Sequence, residues 1–256
     1  MAKEKKFKRL HIFNVIMGFF HALQGTLMLY LSNDFTLPIN SSFLKFIPEK
    51  QALSPVIEKL YDLKIGPVVA CFLFLSALAH FTISLPGINS WYVKNLKRGA
   101  NFARWIEYSA SSSLMIVVIS MLVGIYDIAS IILIFAVNTC MILFGWMMER
   151  HNMDTKKVNW TSFIFGTFAG LIPWVCIAIY LFGSGEGDNK APTFVYWIFF
   201  SIFIFFNTFA INMILQYKKV GPWKNYLFGE TMYIILSLVA KSLLAWQVFA
   251  GTLRPV

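Results

Sequence analysis

One lysine lies deep inside a long apolar stretch of the sequence, where its chemistry needs an explanation. Lys241 stands 16 residues past Asn225 and nine before Ala250, so its side chain does not easily reach water at either end. A lysine near the middle of a membrane costs about 2.5–3.5 kcal/mol on insertion scales, and it therefore needs a partner, a pathway or a chemical task. Its amine can condense with an aldehyde to form a Schiff base. The alternative interpretation is a structural ion pair.

A protonated Schiff base is a buried cation, which requires an anion close by. The acids well inside the apolar stretches are Glu107 and Glu230. If the third span begins near Trp91, Glu107 lies 16 residues from its end, the same depth as Lys241 in the last span. The sequence therefore predicts Glu107 as the counterion. Glu230 is about one turn from the boundary of its span, so it is either an interfacial residue or part of an internal cavity. The same two interpretations apply to Glu149.

A polar stripe at helical spacing surrounds this glutamate. Arg104 precedes Glu107 by three residues, and Asn101, Tyr108 and Ser111 continue the stripe. Two interpretations of the arginine are open: it hydrogen-bonds water in an internal cavity, or it reaches the lipid headgroups.

Two histidines also lie within apolar stretches. His21 and His80 can exchange a proton near neutral pH, and His80 stands one helical turn from Ser76. We predict a role in proton handling within an internal cavity. A hydrogen bond between two helices is the alternative role for such a histidine.

The helices that position these residues are predicted from a composition typical of membrane proteins. The chain is 58% hydrophobic and 13% charged, whereas soluble proteins average about 45–50% and 25%. Apolar runs of about 20 residues, the length that crosses a membrane, recur along it. We predict an all-α membrane protein in which residues 1–256 form one seven-helix domain. The predicted helices are at about 11–31, 65–86, 92–125, 128–148, 159–182, 193–217 and 225–250.

Lysine and arginine predict the orientation of this bundle, because cytoplasmic loops carry an excess of both. Fourteen of them lie on the side that holds the N-terminus, and six lie on the other side. The sequence thus predicts a multi-pass protein of the cell membrane with a cytoplasmic N-terminus and an extracellular C-terminus. The net charge of +10 is divided among short clusters, so no nucleic-acid partner is predicted.

The first long loop, at about 32–64, is too apolar to be only a tether. We predict that it folds back over the extracellular face as short strands and contributes to a homodimer. The alternative is a loop that packs only on its own helices. Its apolar residues include Phe43, Phe46, Ile47, Val56 and Leu60.

Seven helices, a lysine in the seventh and the run Arg104-Trp105-Ile106-Glu107-Tyr108 in the third resemble the microbial rhodopsins, whose arginine lies three positions before the counterion. The chain resembles the heliorhodopsins in four further features: the cytoplasmic N-terminus, the long first loop, the glutamate counterion and the run Ser237-Leu238-Val239-Ala240-Lys241. That resemblance implies all-trans retinal bound to Lys241 and a counterion at Glu107. It also implies that Ser76 and Ser237 adjust the counterion and that His21 and His80 lie in a hydrated cavity. The predicted retinal site comprises Lys241, Glu107, Ser76, Ser237, Tyr108 and Ser111, and the predicted cavity comprises His21, His80, Arg104, Asn101 and Glu230.

Departures from the light-driven proton pumps predict a sensor. Pumps of the related family usually carry an aspartate four residues before the lysine, where this chain has Ser237, and a carboxyl eleven residues after the counterion, where it has Val118. We expect slow reprotonation, a slow photocycle and signalling to a partner. The alternatives are a light-driven ion transporter and a retinal-free transporter or receptor. An enzyme is not predicted, because no nucleophile-base pair or metal cluster is evident.

Overall fold

The computed structural model describes residues 2–153, 155–183, 185 and 190–255. Within them the chain forms α-helices and one antiparallel pair of strands. After α8 the helix continues as a π-helical turn, Phe249–Leu253. The elements are α1 Ala2–Leu31, β1 Thr36–Ile47, β2 Ala52–Lys64, α2 Ile65–Ser84, α3 Ile88–Lys97, α4 Phe102–Leu122, α5 Ile128–Asn152, α6 Thr161–Gly183, α7 Thr193–Tyr217 and α8 Tyr226–Val248.

Seven helices of the described chain, α1, α2 and α4 to α8, are long and apolar enough to cross a membrane. Large apolar side chains such as Phe19, Phe168 and Trp197 are more than 60% exposed, whereas polar side chains such as Asn14 and His21 are fully buried. This distribution suits a bundle that faces lipid and keeps its polar groups inside. The predicted fold class, a seven-helix membrane bundle, is confirmed.

The predicted third span, 92–125, is wrong at its beginning, because two helices occupy this region. Helix α3 ends at Lys97 and α4 begins at Phe102. Between them Gly99 has a φ of +78°, a conformation that glycine adopts readily. The side chain of Asn101 then caps α4 by accepting a hydrogen bond from the Arg104 backbone N–H. Glu107 is consequently the sixth residue of its helix.

The beginning of α1 and the end of α5 also differ from the prediction, because both helices are longer than expected. Helix α1 begins at Ala2, well before the predicted residue 11, and its 30 residues span about 45 Å. Helix α5 continues to Asn152, past the predicted end at 148. This extension places Glu149 inside the bundle, where it is 2% exposed.

The first long loop forms a β-hairpin, as predicted, but its strands are longer than expected. They contain 12 and 13 residues and are paired from Thr36 with Lys64 to Ile47 with Ala52. The register shifts between Ile39 and Asn40, and Asn40 bridges to Asp127, which joins the hairpin to the turn before α5. The hairpin therefore lies against the bundle at its base.

Candidate functional site

The Lys241 amine is buried inside the bundle. Lys241 belongs to α8 and is 3% exposed. Its Nζ donates hydrogen bonds to Glu107 Oε1 at 2.9 Å and to Ser237 Oγ at 2.8 Å. Ser237 lies four residues earlier on the same helix, so both side chains project from one face of α8. The amine thus has one anionic and one neutral partner.

Glu107 receives hydrogen bonds from two other helices. Its side chain is 8% exposed, and Ser76 of α2 donates to its Oε1 at 2.6 Å. Ser111 lies fully buried one turn further along α4. Helices α2, α4 and α8 therefore meet at one carboxylate, which pairs with one ammonium. Such pairing is what a buried charge requires.

An apolar cavity of about 140 Å³ adjoins the amine. Lys241, Ser237 and Tyr108 lie in its wall, and the Tyr108 hydroxyl donates to the Tyr233 carbonyl at 2.9 Å. The cavity wall is completed mainly by side chains of α4 to α7. The other aromatic residues of the wall are Trp105, Phe163, Phe206, Phe209 and Tyr233. An apolar aldehyde in this cavity would have its reactive carbon next to a lysine nitrogen.

A second cavity of about 40 Å³, which we call the polar cavity because most of its lining residues are polar, has Glu107 in its wall. His80 is in its wall, and its Nδ1 is 2.8 Å from Asn14 Oδ1. The ring of His21 stacks on His80 at 5.7 Å between centroids, and neither ring nitrogen of His21 has a partner among the described residues. A polar cavity of this size can hold water. His80 therefore lies in the wall that also holds Glu107, whereas His21 is not part of that wall and stacks against His80.

The polar cavity ends at a buried charge cluster, which we define as Arg104, Glu149 and Glu230. Arg104 Nη1 donates to Glu230 Oε1 at 2.6 Å and Nη2 to Glu149 Oε1 at 2.5 Å. Asn101 donates from its backbone to Glu149 and from its side chain to Glu230. Arg104 is 7% exposed and Glu230 is 1% exposed. Both side chains are therefore buried inside the bundle, and Glu230 lies in the wall of the polar cavity.

The sequence did not single out several residues of these sites. Glu149 lies one residue past the predicted end of its span, so the sequence left it between an interfacial and a cavity role and did not predict its contact with Arg104. Trp105 lies in the wall of the apolar cavity and donates from its indole to Glu149 at 2.6 Å, but in sequence it was one aromatic among many. Tyr92 of α3 lies in the wall of the polar cavity, and burial raises its pKa, so its hydroxyl stays neutral.

A protein-family model described as Heliorhodopsin matches residues 10–253. The matched region begins within α1 and ends in the π-helical turn after α8, so it includes most of α1, the other six membrane-length helices, the hairpin and both cavities. No curated protein matches the chain.

Proposed function

This chain belongs to the heliorhodopsin family, and on that premise we propose that Lys241 binds all-trans retinal as a protonated Schiff base with Glu107 as its counterion. The family consists of retinal-binding, light-sensing rhodopsins of the membrane and is not a known enzyme class. The observation that carries the proposal is the Lys241 amine, which lies 2.9 Å from Glu107 at the wall of an apolar cavity.

The residues around this amine fit retinal. Retinal bound there supplies absorption of visible light and isomerisation. The Glu107 carboxylate would balance the positive charge on the Lys241 nitrogen, while Ser76 holds the carboxylate and Ser237 offers an alternative acceptor to the single N–H. Tyr108 places its ring 5.0 Å from Lys241 Nζ, a distance at which an aromatic face also stabilises a cation.

The neighbouring residues favour slow proton return and signalling. A proton that leaves the Lys241 nitrogen has the Glu107 carboxylate within 2.9 Å as its acceptor, and His80 lies in the same cavity wall as Glu107. Ser237 and the fully buried Val118 offer no carboxylic acid that would return the proton rapidly. We therefore propose a sensor with a slow photocycle that acts on a signalling partner.

The decisive experiment is a visible absorption spectrum of the protein expressed with all-trans retinal. We expect a visible band in the wild type, its loss in Lys241→Ala and its displacement in Glu107→Gln. Lys45→Ala is the matched control, because Lys45 is an exposed lysine of the hairpin and its loss should leave the band unchanged. Absence of a band in the wild type would favour a retinal-free transporter or receptor instead.

Light-driven ion transport is the second candidate, and the polar cavity between Glu107 and Glu230 is the observation in its favour. Lipid vesicles that contain the retinal-loaded protein distinguish the two functions. A sensor is expected to leave the pH inside the vesicles unchanged under continuous light. A sustained pH change that a protonophore abolishes would establish transport and refute the sensor.

We also propose that the N-terminus is cytoplasmic, because the ends of α1, α3, α5 and α7 on that side carry most of the basic residues. Single cysteines at Lys5 and at Lys45, in a background without the three native cysteines, test this orientation. A membrane-impermeant thiol reagent applied to intact cells is expected to label position 45 and not position 5. The reverse pattern would overturn the proposal.

The hairpin is the surface on which we propose a homodimer contact. Its outer half exposes apolar side chains, among them Leu44 at 66% and Ile57 at 73%, which a second copy would cover. Serine at both positions is expected to convert a dimer in mild detergent to a monomer, as measured by light scattering. An unchanged mass would refute the contact.

A further inference from the structure

We propose that Glu149 and Glu230 share one proton beside Arg104, so that the charge cluster is a second proton-binding site, coupled to the retinal pocket. The coupling to light depends on the proposed function. The binding of the proton depends only on side chains of this chain.

The charge balance of the cluster is the first argument. Among the described residues, Arg104 is the only cation within 4.0 Å of either carboxyl group. The side chains of Glu149 and Glu230 are 2% and 0% exposed, so solvent does not screen them. Lys241 does not compensate, because it pairs with Glu107. Two ionised carboxylates would leave one unpaired negative charge in an apolar environment, and a bound proton removes it.

The hydrogen-bond donors around the two carboxyl groups favour ionisation and so oppose the effect of burial. Besides Arg104, Glu149 accepts from the Asn101 backbone at 2.9 Å and from the Trp105 indole at 2.6 Å. Glu230 accepts from the Asn101 side chain at 2.7 Å and from Gln216 at 3.1 Å. Donors of this kind stabilise the ionised form. Burial therefore favours one bound proton, while the donors allow the cluster to lose it without losing its hydrogen bonds.

Tyrosine hydroxyls complete the surroundings of the cluster. Tyr226 lies with its hydroxyl 3.4 Å from Glu149 Oε1, and a hydroxyl both donates and accepts. It can therefore accept a hydrogen bond from the protonated acid. The other titratable groups that face the cluster are Tyr92 from α3, Tyr217 from α7 and Tyr233 from α8. Tyrosine is neutral near pH 7, so none of them supplies the missing positive charge.

Two contacts connect the cluster to the proposed retinal site. The polar cavity has Glu107 and Glu230 in its wall, and Arg104 Nε, a buried donor in the same wall, has no partner among the described residues. This donor is a place for a water molecule between the two sites. The second contact is Trp105, which lies in the wall of the apolar cavity and donates directly to Glu149. Movement in the retinal pocket therefore reaches a carboxyl group of the cluster through one side chain.

The proton itself is tested in the dark, with or without retinal, by infrared spectroscopy of protein labelled with ¹³C-glutamate at neutral pH. We expect a carbonyl stretch of a protonated glutamic acid in the wild type. Glu149→Gln and Glu230→Gln are each expected to abolish it, because the remaining carboxylate then forms a neutral pair with Arg104. Glu107→Gln and the exposed control Glu58→Gln are expected to retain it.

Absence of the band in the labelled wild type, or its survival in both cluster variants, would overturn the proposal. The wild-type spectrum alone already excludes the site if the band is missing, so a variant that does not fold leaves the proposal refutable. Because the measurement needs no retinal, its failure is distinguishable from failure of the chromophore assignment, which the visible spectrum reports.

The coupling is tested by the light-minus-dark infrared spectrum of the retinal-loaded protein. We expect illumination to change the same glutamic acid band. Trp105→Phe removes the indole donor but keeps an aromatic ring. When its spectra are normalised to the amount of bound retinal, most of the infrared change is expected to be lost. A light-induced change of undiminished size in Trp105→Phe would refute this route, and a band that does not respond to light in the wild type would refute the coupling.

Discussion

Separating Lys241 from Glu107 is expected to destabilise the retinal-free bundle more than removing both charges together. Removing one partner of a buried ion pair costs about 3–5 kcal/mol, whereas replacing both partners by neutral groups is often neutral or stabilising. Glutamine at position 107 can still accept from Ser76, whose Oγ lies 2.6 Å from the carboxylate, so Glu107→Gln deletes little besides the charge. We therefore expect a loss near the lower limit, about 3 kcal/mol. Lys241→Met should cost a similar amount, because it leaves the carboxylate without its cation.

The assay is reversible unfolding of the retinal-free protein in mixed micelles, titrated with a denaturing detergent. The double variant Glu107→Gln with Lys241→Met is expected to lie within about 1 kcal/mol of the wild type. Lys45→Met with Glu58→Gln is the matched control, because that pair is exposed and its loss should change stability by less than about 1 kcal/mol. Single variants as stable as the wild type, or losses that simply add in the double variant, would refute the reasoning.

Two further predictions concern the retinal pocket and the base of the hairpin. A Cβ at Gly145 would clash with the Trp105 ring, so Gly145→Ala should cost about 1–3 kcal/mol and slow the growth of the visible band on adding retinal. Gly183→Ala, with nothing within 4 Å, should do neither, and equal rates in the two variants would contradict this. At the hairpin, a hydrogen bond from Lys64 lowers the pKa of Asp34 below 3.8. The ion pair is therefore present at neutral pH and is lost as the pH falls through the lowered pKa. Lys64→Met should therefore raise the midpoint in an NMR titration of Asp34 toward 3.8 with no measurable loss of stability, and an unmoved midpoint would contradict the assignment.

The sequence predicted the bundle and placed Lys241 and Glu107 in it because charges are rare in membrane spans. Each buried charge was therefore conspicuous against an apolar background. The beginning of the third span was harder to predict, since the break at Gly99 depends on one backbone conformation within a run that otherwise continues. Lys241 and Glu107 are in contact although the predicted start of the third span was wrong. The packing of the helices, and not the position of one helix end, determines which residues lie at the same depth.

The charge cluster was less accessible to sequence analysis. Arg104 and Glu230 were recognised as unusual, but their partner Glu149 stood one residue beyond a predicted helix end. Its burial follows from a tertiary contact between α4 and α5, which no local pattern encodes. Pocket residues such as Trp105 and Phe209 were likewise hidden, because 17% of the chain is aromatic and most such residues face lipid or other helices equally well.

The hairpin has no inner strand, so each of its strands presents a row of backbone donors and acceptors that could recruit an extended segment of another protein. Two prolines interrupt these rows: Pro38 in β1, opposite Asp62, and Pro55 in β2, opposite Leu44. Proline lacks the backbone N–H that a new strand would need. Charged side chains further along, including Lys45 and Glu58, oppose the same recruitment. In a crowded membrane this hairpin can therefore expose apolar side chains without templating β-aggregation.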